Sequence, residues 1–174
     1  MKIKICAAAL LLSLAVSSQL SAFDGQRKGF ILGVGFGAGA LNYDGRDFSF
    51  NKVTFENNFK IGYAPSNSFE IYYANIVSYF ETMGRSYASG AACLAMTKYL
   101  KPEGKGFFIC GGAGFGYFWE TDWDTIDESG FGAFGGIGYD IGKHWYVQAE
   151  VVYTRLETGS HSWGFRVTLN TLAF

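Results

Sequence analysis

The stretch GFGAFGGIGYD, residues 130–140, decides between two folds. Its first six residues match G-x-G-x-x-G, the spacing of a dinucleotide-binding loop. That loop requires a strand before the glycines, a helix after them and an acidic residue about 20 positions further on. Here the glycines alternate with Phe, Ala, Ile and Tyr, and a second alternating segment follows. The pattern therefore predicts a β-strand with a glycine face, and it argues against a phosphate-binding loop.

The same period of two recurs along the chain. In residues 69–79 the series Phe, Ile, Tyr, Val and Tyr shares one face, and in residues 145–153 the series Trp, Val, Ala, Val and Tyr does the same. Such alternation is the signature of two-faced strands. It predicts eight strands, at residues 29–42, 50–64, 68–80, 86–100, 106–119, 130–141, 144–155 and 163–174.

The first residues read MKIKICAAALLLSLAVSSQLSA, a basic start, an apolar run and a small-residue end. This is the pattern of a secretory signal peptide, so we predict a signal over residues 1–22 and a barrel domain over residues 23–174. Without Lys2 and Lys4, 12 Lys and Arg oppose 15 Asp and Glu, a net charge of −3. The charge gives no indication of a nucleic-acid partner. On the fourth strand Cys93 is expected to face lipid, with Leu94 and Met96 turned inward, whereas Cys110 is expected to face the lumen. Two cysteines are too few for a disulfide framework, and Cβ atoms on opposite faces do not converge, so we expect two free thiols.

The connections alternate between tight Pro and Gly turns, such as APSNS and IGKH, and more polar stretches that are generally longer. Eight strands with both termini on the short-turn side match the layout of an outer-membrane barrel, whose short turns and termini are periplasmic. A ring of aromatic residues is expected on the outer face at that end. Its members are Phe30, Tyr63, Phe69, Tyr99, Phe107, Tyr139, Trp145 and Phe174. A second ring, at the other end, comprises Tyr79, Tyr87, Trp119, Phe131, Tyr153 and Phe165. Two girdles around an apolar band predict an all-β, antiparallel, up-and-down transmembrane barrel.

The chain ends GFRVTLNTLAF, residues 164–174, with an aromatic residue in last place. This ending resembles the C-terminal strand of bacterial outer-membrane barrels. The mature chain resembles the small eight-stranded family typified by the OmpA transmembrane domain and opacity-type surface antigens. The resemblance implies a monomer in a Gram-negative outer membrane, in contact with lipid and lipopolysaccharide, with Phe174 read by the barrel-assembly machinery. Because Phe165 and Phe174 have opposite parity, we expect a bulge in the last strand.

The inward face is expected to carry three acids and three bases: Glu56, Lys60, Glu70, Lys98, Glu150 and Arg166. Buried charges are costly unless they are paired, so these residues predict an ionic network that plugs the lumen. A narrow polar pore is the alternative, because charged lumen residues set selectivity where a channel is open. The lumen-facing glycines leave volume for a bulky neighbour, and Phe108, Phe118 and Phe134 have the parity to fill it.

Two further motifs are candidates for chemistry. His161 and Ser162 suggest a hydrolase of the lipid A deacylase type, but they are adjacent in the sequence, whereas catalysis needs the base within hydrogen-bond reach of the hydroxyl. The connection WETDWDTIDES is acidic, and Asp122, Asp124 and Asp127 are weak candidates for divalent-cation ligands. It lacks the EF-hand spacing, and we predict no cofactor.

These observations favour a structural or surface-interaction protein of the outer membrane that is not an enzyme, with its specificity in the external connections. Three other functions remain open. They are a narrow pore for small solutes, a lipid A-modifying enzyme, and a soluble periplasmic barrel that binds a ligand.

Overall fold

The computed structural model describes residues 27–45, 49–82, 84–120 and 128–174. The strands are β1 (Gly29–Asp44), β2 (Ser49–Ser66), β3 (Phe69–Thr82), β4 (Arg85–Tyr99), β5 (Phe107–Glu120), β6 (Glu128–Asp140), β7 (Trp145–Leu156) and β8 (His161–Ala173). Each strand pairs antiparallel with the next, and β8 pairs with β1, so the sheet closes into one barrel. This confirms the predicted fold class. The signal peptide predicted at residues 1–22 lies outside the described residues.

The chain enters and leaves the barrel at the same end. The guanidinium of Arg27 lies 4.9 Å from the ring of Phe174, and we call this the terminal end and its opposite the far end. The predicted difference in connection length is absent. Connections at the terminal end span residues 67–68, 100–106 and 141–144, and those at the far end span 45–48, 83–84, 121–127 and 157–160. Residues beyond the predicted strand ends, such as Tyr43 and Asp44, instead extend the strands.

The outer face of the barrel is apolar. It exposes large side chains on every strand, including Phe30, Val53, Leu94, Ile109 and Phe165. Of the eight residues predicted for the ring at the terminal end, six face outward. They are Phe30, Tyr63, Phe69, Phe107, Tyr139 and Trp145. No helix in the described ranges is long and apolar enough to cross a membrane.

The prediction is wrong for Tyr99 and Phe174, which are buried inside the mouth of the lumen instead of lying on the outer face. Tyr99 is 2% exposed and Phe174 is 5% exposed. Tyr87, predicted for the ring at the other end, also packs inward, against Phe80 and Phe118. An aromatic side chain near the end of a strand can either pack inside the mouth of the barrel or lie on the outer rim. The residue type alone does not distinguish these two positions.

The facing of β4 is the reverse of the prediction. Leu94 and Met96 were expected to face inward, and they are 71% and 56% exposed. The small residues that alternate with Leu94 and Met96 face the lumen, where Cys93 pairs with Gly114 and Ala95 with Gly112. Small side chains suit this crowded part of the lumen. A Cβ added to Gly112 would lie 2.7 Å from the Cβ of Ala95, so larger inward residues would not fit.

The bulge expected in β8 is also absent. Its pairing with β1 runs without a break from Asp44 and His161 to Leu32 and Ala173. Leu172 and Phe174 point inward because, in an unbroken strand, they lie on the same face as Arg166. A register shift is found instead between β2 and β3, at Tyr63 to Ser66. This stretch includes Pro65, which has no N–H for a ladder hydrogen bond and is tolerated at a bulge.

One polar group on the outer face is covered by a neighbouring ring. The hydroxyl of Tyr117 donates to Oδ1 of Asn75 at 2.6 Å and lies 3.3 Å from the carbonyl of Ile76. Gly90 makes this possible, because a Cβ there would lie 2.6 Å from the Tyr117 hydroxyl oxygen. The amide oxygen of Asn75 therefore has its donor within the protein, which an apolar surrounding favours.

Candidate functional site

The lumen is filled in three layers. We call them the terminal plug (Arg27, Lys60, Glu70, Tyr99, Asp140, Phe174), the ionic triad (Glu56, Glu150, Arg166) and the far aromatic cluster (Tyr43, Phe50, Phe80, Tyr87, Phe118). The glycine stripe of residues 130–138 faces this interior. The lumen is therefore a packed core with charged layers, as the limited interior of an eight-stranded barrel requires.

The ionic triad joins β2, β7 and β8. Nε of Arg166 donates to Oε2 of Glu150 at 2.6 Å, and Nη1 donates to Oε2 of Glu56 at 3.3 Å. Ser78 donates to the same Glu56 oxygen at 2.9 Å, Thr54 donates to the other, and Gln148 donates to Glu150. All three members of the triad are 2% exposed. Every carboxylate is therefore supported by a cation and by neutral donors, as buried charges require.

Glycines on the facing strands provide the room for these charges. A Cβ at Gly39 would lie 2.7 Å from Oε1 of Glu56, and one at Gly136 would lie 2.7 Å from Cγ of Glu150. Further along the stripe, a Cβ at Gly138 would lie 2.1 Å from the ring of Phe108. The alternating glycines are thus the complement of the charged and aromatic side chains that fill the lumen.

The terminal plug is centred on Arg27, which precedes the first strand. Nη1 donates to Glu70 at 3.1 Å and to the Tyr99 hydroxyl, and Nη2 donates to Asp140 at 2.9 Å. Its guanidinium also lies 4.1 Å from the centre of the Tyr99 ring. On the inner side, Lys60 pairs with Glu70 and lies 4.0 Å from the ring of Tyr72. The plug therefore connects four strands to the entering chain.

Arg27 was missed in the sequence because it lies outside the predicted strands and its partners are 43, 72 and 113 residues away. The pKa of Arg27 is raised above its usual value. Burial lowers it, but Tyr99, Glu70 and Asp140 together raise it by more. The guanidinium therefore stays charged within the plug.

Of the six ionisable residues predicted for the lumen, five lie there and Lys98 does not. Lys98 is exposed, and its amine contacts the hydroxyl of Ser68 at 3.2 Å. Its position follows from the reversed facing of β4. Arg27 takes the place of that third cation, and Asp140 adds a fourth carboxylate.

The far aromatic cluster closes the other end of the lumen. The rings of Tyr43 and Phe50 stack at 5.1 Å, and Phe118 lies 4.9 Å from Tyr43. Phe80 and Tyr87 complete the cluster. These residues come from β1 to β5, so the cluster packs the ends of three hairpins together. Aromatic pairs of this kind contribute about 0.5 to 1.5 kcal/mol beyond their buried area.

His161 and Ser162 lie on opposite faces of β8. The structure places both in the strand, whereas the sequence suggested a loop. The hydroxyl of Ser162 is buried in the lumen, 2.7 Å from that of Thr154, while the imidazole of His161 is on the outside, 3.9 Å from Asp44. The imidazole is therefore not placed to take a proton from Ser162, and this pair does not form a nucleophile and base.

The two other predicted features have different outcomes. Asp122, Asp124 and Asp127 lie outside the described residues, and within the described ranges no three His, Cys, Asp or Glu residues gather as metal ligands. Cys93 and Cys110 are free, as expected, but both lie on the lumen side. Cys110 pairs with Thr97, four residues from Cys93 on the same strand, so the two thiols are too far apart to form a disulfide.

Comparison with solved structures identifies small outer-membrane barrels as structural neighbours. The attachment invasion locus protein Ail of Yersinia pestis matches with a TM-score of 0.59 and 11% identity, over 83% of this chain and 99% of Ail. Neisserial surface protein A matches with a TM-score of 0.58 and 12% identity, over 84% and 98%. OprG from Pseudomonas aeruginosa matches with a TM-score of 0.51 and 11% identity, over 85% and 97%.

The sequence alone has no such match. No protein-family model matches the chain, and no curated protein is similar to it in sequence. At identities of only 11 and 12%, the likeness to Ail and Neisserial surface protein A is one of fold, the closed eight-stranded barrel.

Proposed function

We propose that this chain is an integral outer-membrane barrel with a sealed lumen, and that its far end contacts partners outside the cell. The observation that carries the proposal is the inverted arrangement of polarity. Large apolar side chains cover the outside, whereas Glu56, Glu150 and Arg166 are buried within. A soluble barrel needs the opposite arrangement, with polar residues facing water.

The outer face supports a lipid surrounding in two further ways. The closed sheet leaves no unpaired edge, which is required of any sheet that spans a bilayer. The hydroxyl of Tyr117 donates to the amide oxygen of Asn75, so this acceptor on the outer face is paired within the protein. The exposed residues of β4, Leu94 and Met96, add to the apolar band.

The filled lumen supports a structural or binding role over a pore. Two voids flank the triad, with volumes of about 20 and 10 Å³. A void of that size holds about one water molecule. The far aromatic cluster and the terminal plug close the lumen on either side of them.

We therefore expect no unitary conductance when the purified, refolded protein is added to planar bilayers. The charged side chains are paired with one another, so an ion that entered would have to separate these pairs. The measurement is single-channel recording at high salt, with an open porin in the same bilayers as a positive control. Stable, uniform current steps that depend on the folded form would contradict the sealed lumen and favour the pore.

The orientation is tested by two short epitope insertions of equal length. One follows Thr158 in the β7 to β8 connection, and its control follows Glu103 in the β4 to β5 connection. Each connection contains a glycine in the left-handed region next to the insertion point, Gly159 and Gly104. On intact cells we expect antibody binding to the first insertion only, and to both after permeabilisation. Binding to the second alone on intact cells would place the terminal end outside.

The charge of the far end indicates the chemistry of its partner. The connection between β5 and β6, with its flanking residues, carries five carboxylates and no base in residues 120–128. Ail was crystallised with sucrose octasulfate, a heparin analogue. A polyanion of that kind does not complement a connection of this acidic composition, so we propose a cationic or neutral polar partner here.

A further inference from the structure

A groove of about 870 Å³ opens at the terminal end, beside the terminal plug. It lies between the β4 to β5 connection, residues 100–106, and the β6 to β7 connection, residues 141–144. Arg27, Asp140 and Phe174 line it on the side of the plug. The ionic triad and the far end of the barrel take no part in it.

The groove is cationic. Lys101, Lys105 and Lys143 line it, and all three are exposed. Within the described part of the chain, none of the three forms an ion pair. The acids of the groove are Glu103 and Asp140, and Asp140 is already bound to Arg27 at 2.9 Å. The groove therefore carries three lysines and one carboxylate, Glu103, that is not already paired with Arg27.

Arg27 adds a buried donor to the wall of this groove. The residue is 6% exposed, and Nη1 and Nη2 are bound to Glu70, Tyr99 and Asp140. The N–H of Nε is buried and has no acceptor among the described residues. A buried donor of this kind costs free energy unless an acceptor satisfies it, and an anionic oxygen is the strongest acceptor.

The groove continues onto the apolar outer face. Ile141 is 59% exposed and Tyr139 is 45% exposed, and both also line the groove. Leu100 and Phe107, at the ends of the other connection, are 66% and 59% exposed. A ligand that fits this surface carries an anionic group for the lysines and a hydrocarbon part for the outer face.

We infer that the groove binds the phosphate headgroup of an anionic phospholipid from the adjacent leaflet, with the acyl chains along Tyr139 and Ile141. The inference rests on the proposed membrane function, because the hydrocarbon part requires the outer face to lie in lipid. The lysines provide the charge attraction, and the apolar residues distinguish a lipid from a free anion.

The test uses Trp145 as a local probe. Trp145 lies at the start of β7, and its carbonyl accepts hydrogen bonds from Ile141 and Gly142, which line the groove. The other tryptophans, Trp119, Trp123 and Trp163, belong to far-end segments and are replaced by Phe. The protein is refolded into phosphatidylcholine vesicles that contain a minor fraction of brominated phosphatidylglycerol or, in parallel, of brominated phosphatidylcholine.

We expect brominated phosphatidylglycerol to quench Trp145 at least about twofold more than brominated phosphatidylcholine at the same fraction, since each Lys favours an anionic leaflet about fivefold. The excess is expected to disappear in Lys101→Gln/Lys105→Gln/Lys143→Gln. It is expected to remain in Lys28→Gln/Lys98→Gln, a control that removes two exposed lysines of the terminal end that do not line the groove. Equal quenching by the two lipids, or an excess that survives the triple change, would overturn the inference.

A further arm separates a lipid headgroup from a free anion. In detergent micelles without phospholipid, inorganic phosphate is expected to leave the fluorescence of Trp145 unchanged. A saturable response to phosphate alone would identify a soluble-anion site and overturn the lipid assignment. Failure of the proposed function gives a different result, because the protein would then not insert into vesicles of either composition.

Discussion

Replacing Arg166 by methionine is expected to destabilise the barrel by about 3 to 5 kcal/mol, the usual cost of removing one partner from a buried ion pair. Arg166 is 2% exposed and bonds to Glu56 and Glu150, which are equally buried. Without it, two carboxylates remain in the lumen with neutral donors only. The free energy of unfolding is measured by urea titration in vesicles, with tryptophan fluorescence as the signal.

Two variants make this result specific. Lys98→Met removes a cation of similar length from an exposed site, so we expect a change within about 0.5 kcal/mol. Glu56→Gln/Glu150→Gln/Arg166→Met removes all three charges together, and we expect it to recover most of the loss, because a neutral replacement of a buried network is often tolerated. If Arg166→Met unfolds like the wild type, or if the triple variant is as unstable as the single one, the triad does not have the proposed role.

Replacing Gly37 by valine is expected to prevent closure of the barrel. A Cβ at this position would lie 1.9 Å from the carbonyl oxygen of Val167 and 2.8 Å from Cα of Thr168. Both atoms belong to the backbone of β8, which cannot rotate away as a side chain can. Extra atoms in a packed core typically cost about 1 to 3 kcal/mol, and we expect a larger cost here because two strands must separate.

Gly135→Val is the matched control. Gly135 is on the outer face, and the nearest atom to a Cβ there is the carbonyl oxygen of Cys110, at 4.0 Å. The folded fraction is measured by the difference in gel mobility between unheated and heated samples. We expect Gly37→Val to lose the folded band and Gly135→Val to retain it. Equal folded fractions would show that the β1 to β8 seam tolerates the added side chain.

The closed barrel could be predicted from the sequence because most of the strands alternate clearly. In β3, for example, Ile71 and Tyr73 face outward and Glu70 and Tyr72 face inward, as the period of two requires. The glycine stripe of β6 was also placed correctly. Alternation depends on local geometry alone, so the contacts between distant residues do not disturb it.

The facing of β4 could not be predicted in the same way. One face of this strand carries mainly small residues, and the other carries both small and large ones, so its pattern does not show which face is outward. The prediction therefore depended on placing Tyr99 in the outer aromatic ring, which turned Cys93 and Ala95 outward as well. In the structure Tyr99 is buried against Arg27 and Phe108. Phe174 was misplaced for the same reason, because it packs against His144 and Arg27 in the mouth of the lumen. The sequence does not show which aromatic residues seal the lumen, since their partners are distant along the chain.

The central claim is that an apolar outer face lies in lipid around a sealed, charged lumen, and β4 provides its most direct test. Single cysteines are placed at residues 92 to 97, with the native Cys93 and Cys110 otherwise replaced by alanine, and the protein is refolded into vesicles. A spin label is added only after folding, because a cysteine fits the crowded inner face and a bulky label does not. The extent of labelling and the collision of the label with oxygen, which concentrates in the hydrocarbon, are then measured at each position. We predict a period of two with maxima at Leu94 and Met96, the exposed positions among these six. Maxima at residues 93, 95 and 97, or no alternation, would contradict the claim.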